Sequence, residues 1–182
     1  MARVYPGIDE ALADWLRRQP LFFVATAPLS ADGHVNLSPK GLDTFRVLGP
    51  REVSWLDLTG SGVETLAHLR ENGRVVLLFC AFEGPPKIVR LHGRGRVIES
   101  ADPDFAGRRA AFPDLPGVRS LIHVEVTRVS DSCGFGVPRM AFEAERRQLL
   151  EWAERKGPEG LREYRAQHDR SLDGLPGLRG DD

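Results

Sequence analysis

Strand-like runs follow one another too closely in this chain to leave room for a crossover helix between most of them. Leu21–Ala27 lies between prolines, His34–Ser38 follows the Asp32-Gly33 turn, and Thr44–Leu48 closes at Gly49-Pro50 before Val53–Leu58. Arg74–Phe82, Lys87–Glu99 and Arg119–Val129 come later. Parallel strands need a connection of a dozen residues or more, so these spacings predict hairpins and a largely antiparallel sheet. Gly93 and Gly95 fall inside the longest run, where a bulge or sharp bend lets a sheet curl on itself. A small Greek-key barrel with flanking helices therefore fits better than a parallel α/β sheet.

One segment breaks the run of hairpins. Val53, Trp55, Leu56 and Leu58 read as a strand, whereas Val63, Leu66, Ala67 and Leu69 share a helical face that ends at Asn72-Gly73. Between them stands Thr59-Gly60-Ser61-Gly62. Its glycines free the backbone, and its hydroxyls are placed to cap the helix. A strand that enters a helix through such a turn gathers unpaired N–H groups that suit an anion, phosphate above all. An ordinary capped helix start has the same spacing, and the Gly-Lys-Ser/Thr ending of a P-loop is absent.

The second candidate stretch is Val35-Asn36-Leu37-Ser38-Pro39-Lys40-Gly41. On a strand, Asn36, Ser38 and Lys40 face one way, giving a polar row able to meet a phosphorylated, ring-bearing ligand. The same row also suits the solvent side of an edge strand, which Pro39 favours by removing a ladder donor.

Size and charge narrow the remaining classes. The 182 residues suit one domain, and 25 basic against 26 acidic side chains give no general field for nucleic acid or anionic membrane. No apolar run reaches spanning length, and the first residues lack a cleavable apolar core, so we expect a cytoplasmic protein. Cys80 and Cys133 fit a reducing compartment and offer no metal-site spacing. Asp9 is expected to cap a first helix carrying Leu12, Trp15 and Leu16. Asp102–Ala111 is helix-like, two amphipathic surface helices are expected over Glu143–Arg155 and Pro158–His168, and a poorly ordered tail over Asp173–Asp182. His92 and His123 lie on expected strands, where a haem ligand or proton donor and a merely structural histidine look alike. Cys133 has no base beside it in sequence, and Trp152 and Tyr164 read as core or interface aromatics.

Taken together, Gly33-His34-Val35-Asn36-Leu37-Ser38-Pro39-Lys40-Gly41, Trp55-Leu56-Asp57-Leu58-Thr59, the helix ending Leu69-Arg70-Glu71-Asn72-Gly73, and Ile88-Val89-Arg90-Leu91-His92-Gly93-Arg94-Gly95 resemble the FMN-binding split-barrel proteins related to pyridoxamine 5′-phosphate oxidase. The resemblance covers about Leu21 to Val129, and Cys133–Pro138 is similar to a subgroup of those relatives. It implies a mainly β split barrel over residues 1–138, with 139–182 as a C-terminal helical extension of the same domain. It further implies a homodimer with FMN at the subunit interface, and a small-molecule substrate. Carried over by position, the cofactor residues are Asn36, Leu37, Ser38, Lys40, Leu58, Thr59, Gly60, Ser61, Gly62 and Thr65, with Arg90. Glu64 and Thr65 stand where the family often has a basic pair, which leaves phosphate to Lys40, the Ser61 hydroxyl and the N–H groups of Gly60 to Val63. A flavin or haem carrier or sensor without turnover, and a deazaflavin-dependent reductase on the same barrel, are the alternatives.

Overall fold

The computed structural model describes residues 3–179. Its strands are β1 (Val4–Tyr5), β2 (Phe22–Thr26), β3 (Asn36–Lys40), β4 (Phe45–Gly49), β5 (Glu52–Leu58), β6 (Arg74–Cys80), β7 (Ile88–Ile98) and β8 (Val118–Ser132). The helices are α1 (Glu10–Arg17), α2 (Glu64–Asn72), α3 (Phe105–Arg109) and α4 (Gln148–Gln167). All pairings are antiparallel and run in the order β3-β2-β6-β7-β8-β5-β4, with β1 added on β8.

Aromatic packing shows how the sheet curls. Phe22 of β2 and Phe79 of β6 belong to one end of the strand order, Phe45 of β4 and Trp55 of β5 to the other. Yet Phe22 lies 5.3 Å from Phe45 and 6.2 Å from Trp55 between ring centroids, and Phe45 lies 5.0 Å from Phe79. The two ends meet through side chains, which makes a split barrel with these rings at its centre. Gly93 supplies the bend. The β7/β8 register shifts between His92 and Gly93, and a Cβ at Gly93 would lie 2.3 Å from the Glu125 carbonyl oxygen.

A smaller cluster of Leu56, Ile98, Phe112 and Leu121 packs beneath α3 and the loop that follows it. β5 is thus buried on both faces, Val53 and Trp55 inward and Leu56 outward, a fuller burial than its sequence pattern suggests. α2 lies across β2, β6 and β7 with Leu66 and Leu69 in the main core, and Gly73 ends it in the left-handed region at φ 69°. Asp9 caps α1, accepting the Leu12 N–H at 2.8 Å.

Three expectations change. β3 starts at Asn36 and runs to Lys40, two residues later than the hairpin spacing predicts, because its register pairs Thr26 with Asn36 and Phe22 with Lys40. The expected helix from Glu143 starts only at Gln148. Gly157, at φ 65°, then breaks α4 so that Trp152 folds edge-on against Tyr164 at 4.9 Å. The tail is held as far as it is described. Asp173 binds His34, Arg70 donates to the Gly177 carbonyl at 2.7 Å, and Arg179 donates to Asp102 at 2.9 Å. Residues 180–182 of that expectation lie outside the described residues. No helix among the described residues is long and apolar enough to cross a membrane.

Candidate functional site

Both candidate stretches open on one cavity of about 360 Å³. Ser38 and Lys40 come from β3, Leu58 ends β5, Gly60, Ser61 and Gly62 form the turn, and Thr65 lies in the first turn of α2. Alternation along β3 turns Asn36, Ser38 and Lys40 inward and leaves Leu37 66% exposed on the far side. Leu37 therefore has no side chain in the cavity. Asn36 lies behind the wall, where its amide donates to Thr65 Oγ1 at 3.0 Å.

The turn differs from expectation. Neither Thr59 nor Ser61 caps α2: the N-cap is Val63, with no side-chain cap hydrogen bond. Thr59 instead donates to the Gly117 carbonyl at 2.8 Å and accepts from Arg165 at 2.9 Å, which turns its hydroxyl toward the start of β8 and α4. The opening N–H groups of α2 consequently have no side-chain acceptor, and an anion can take that place. Glu64 stands at the rim of the cavity, one carboxylate oxygen accepting the Leu172 N–H at 3.3 Å and the other folded back over Gly62.

The charged floor was only partly visible in the sequence. Lys40 donates to Asp57 Oδ1 at 3.0 Å, Arg119 donates to Asp57 Oδ2 at 2.5 Å, and Arg119 also donates to the Gly62 carbonyl at 2.8 Å. Asp57 has no exposed surface. Burial by itself would raise its pKa, but the Arg119 and Lys40 charges outweigh that and hold the carboxyl below its usual range. Arg119 is the basic residue that sequence reading missed. The available signal was Asp57, an acid set in the apolar Trp55–Leu58 run, where a buried carboxylate requires a basic partner. Arg90 does not reach the cavity; it lies on β7 and donates to Ser132 Oγ at 3.0 Å.

Leu42 takes φ 60°, a conformation rare for a branched side chain, where this cavity adjoins a larger one of about 640 Å³. The larger space, between the end of α1, the β6–β7 turn and residues 140–145, holds none of the predicted site residues. His92 and His123 line neither cavity. Burial lowers the pKa of each, and His123 lies 3.2 Å from Arg108. Cys80 is buried, Cys133 exposed, and both thiols are free. Among the described residues no group of three or more His, Cys, Asp or Glu side chains is arranged to hold a metal ion.

Residues 8–133 match the family model described as pyridoxamine 5′-phosphate oxidase. The chain belongs to that family. It is also 44% identical over 192 residues to the pyridoxamine 5′-phosphate oxidase family protein ustO of Aspergillus flavus, covering 96% of this chain and 77% of that protein. Among solved structures, HupZ of Group A Streptococcus superposes with a TM-score of 0.55 at 20% identity, over 69% of this chain and 99% of the other. A Lactobacillus delbrueckii protein named for pyridoxamine 5′-phosphate oxidase gives 0.52 at 19% identity, over 68% and 93%. At these identities the structures bear on fold, and they agree with the split barrel described above.

Proposed function

We propose that this member of the pyridoxamine 5′-phosphate oxidase family is a cytoplasmic FMN-binding flavoprotein and oxidoreductase. It acts on a small molecule as a homodimer, with the cofactor at the subunit interface. The observation that carries this reading is the convergence of Lys40, Ser61 and the uncapped start of α2 on one cavity. FMN ends in a single phosphate, and hydroxyl, ammonium and backbone N–H donors suit that group. The charge balance is narrow. Lys40 and Arg119 share Asp57, leaving one net positive charge, and Glu64 stands at the rim. N–H and hydroxyl donors thus supply much of the hold.

Bound FMN would supply electron or hydride transfer, while the protein binds, orients and shields it. Ser38 would meet a polar edge, and Gly60, with nothing within 4 Å of where a Cβ would stand, would let the ligand approach the backbone closely. Pairing with a second copy is supported by the outer side of β3, an edge strand with Leu37 66% and neighbouring Val35 75% exposed, a surface that a lone protein seldom leaves uncovered.

The purified protein should be yellow, or become so on addition of FMN, with flavin absorption that remains after gel filtration. A protein that stays colourless with excess FMN overturns the reading. Bound flavin that neither NAD(P)H nor a reduced deazaflavin can reduce would instead indicate a carrier.

A further inference from the structure

An anion already stands at the start of α2, and it belongs to the chain itself. Glu64 is the first residue of that helix, where the dipole favours a negative charge. Its side chain folds back so that one carboxylate oxygen takes the space a Cβ on Gly62 would need, while the other accepts the Leu172 N–H at 3.3 Å. Glycine at position 62 makes the fold-back possible. Lys40 and Arg119 carry one positive charge more than Asp57 balances, and the Glu64 carboxylate at the cavity rim offsets that surplus in the ligand-free protein.

Little holds Glu64 there. Its bond to Leu172 is long for an N–H donor, and Leu172 is 77% exposed. No other hydrogen bond or ion pair engages the carboxylate among the described residues. A phosphate on the opening N–H groups of α2 brings about two negative charges beside it, a repulsion that the Glu64 side chain relieves by swinging outward. That movement takes the acceptor away from Leu172. The turn around Leu172 keeps its own bonds: the Ser171 N–H donates to the Leu175 carbonyl and the Gly174 N–H to the Ser171 carbonyl, both at 2.9 Å, and the Leu175 N–H donates to Ser171 Oγ at 3.1 Å. Release is therefore confined to the Leu172 amide.

We propose that Glu64 is a built-in competitor for the phosphate end of the ligand, and that its displacement couples occupancy of the cavity to the C-terminal segment at Leu172. The assignment rests on the flavin reading for the identity of the phosphate-bearing ligand. Glu64 sets specificity by charge, weakening the hold on a phosphate and leaving the hold on the uncharged remainder of the ligand as it is.

Riboflavin, which is FMN without the phosphate, separates the two contributions. In titrations by flavin fluorescence at low salt, Glu64→Gln should strengthen FMN by about 2- to 5-fold and leave riboflavin unchanged. Amide exchange followed by NMR gives the second arm. FMN should speed exchange at Leu172 but not at Gly174 or Leu175, riboflavin should have no such effect, and in Glu64→Ala the Leu172 amide should exchange fast with or without FMN. Equal strengthening of both flavins, an FMN affinity unchanged or weakened by Glu64→Gln, or a Leu172 amide indifferent to FMN each overturns the proposal. If neither flavin binds, the flavin reading falls, and inorganic phosphate followed on the amides of residues 61–66 decides the competition: binding tightened by Glu64→Gln upholds it, and equal or absent binding overturns it.

Discussion

Lys40 Nζ lies 3.0 Å from Asp57 Oδ1 although their strands are far apart in the sheet: β3 is one edge, and β5 stands beside the other. The ion pair spans the seam of the barrel. Arg119 of β8 reaches the same carboxylate and also holds the Gly62 carbonyl. One buried acid thus ties β3, β5, β8 and the turn into α2, and the cavity takes its shape from those connections.

Removing that acid should be costly. Asp57→Ala leaves two cations without their partner and should lower stability by about 3–5 kcal/mol, measured by urea unfolding. Asp57→Asn, which retains the shape and an acceptor, should cost less. Equal stability of wild type and Asp57→Ala would show that the pairing contributes nothing.

The same group predicts a pH profile. Its folded pKa lies below the ordinary aspartate value of about 3.9, so the stabilisation is complete above that value and is lost as pH falls through the depressed folded pKa. The urea midpoint should begin to decline below about pH 6.5 as His68, His92 and His123, whose pKa values burial lowers, come under pressure to charge, and should fall further below about pH 4, where the slope should be shallower in Asp57→Asn. An unchanged slope in that variant would exclude Asp57 as its source.

Binding of FMN should separate Lys40 from Arg90. Lys40→Met removes a cavity-lining cation and should weaken FMN by about 10-fold or more. Arg90→Met, in a residue directed to Ser132, should change affinity by less than about 2-fold. Glu64→Gln removes a negative charge at the start of α2 and should strengthen binding by about 2- to 5-fold at low salt. Titration by flavin fluorescence at two ionic strengths reads all three.

Gly93 should tolerate no side chain. In Gly93→Ala the new Cβ would meet the Glu125 carbonyl oxygen and Val124 Cγ1, at 2.3 and 2.6 Å from its ideal position. Thermal unfolding should show a loss of about 1–3 kcal/mol or more. An unchanged melting temperature would mean that the bulge relaxes freely.

One of the tail's contacts can be loosened separately. Asp173 accepts both the backbone N–H and the ring nitrogen of His34, at 2.9 and 2.6 Å, and those bonds lower its pKa. Asp173→Asn should speed hydrogen exchange at His34 and in the 172–174 turn while leaving the global unfolding midpoint in place.

Periodicity and turn chemistry make much of the barrel legible in the sequence alone. Alternation placed Phe22 and Trp55 in strands, Asn72-Gly73 ended α2, and Gly93 marked the bulge, because each of these depends on residues near it in sequence. Alternation also set Ser38 and Lys40 on one face of β3. It could not say whether that face met solvent or the interior, since the answer depends on β5 and α2 lying opposite.

The missed features are those formed by distant segments. Arg119 lies 62 residues from Asp57 and Asp173 lies 139 from His34, separations at which sequence pattern carries no distance information. Thr59 has the composition of a cap, but its hydroxyl is claimed by Gly117, brought alongside by β5/β8 pairing. Local propensity thus determined which segments became strands, turns and helices. Closure of the sheet decided which polar side chains met, because a buried charge or hydroxyl takes its partner from whatever segment the fold brings within hydrogen-bond reach.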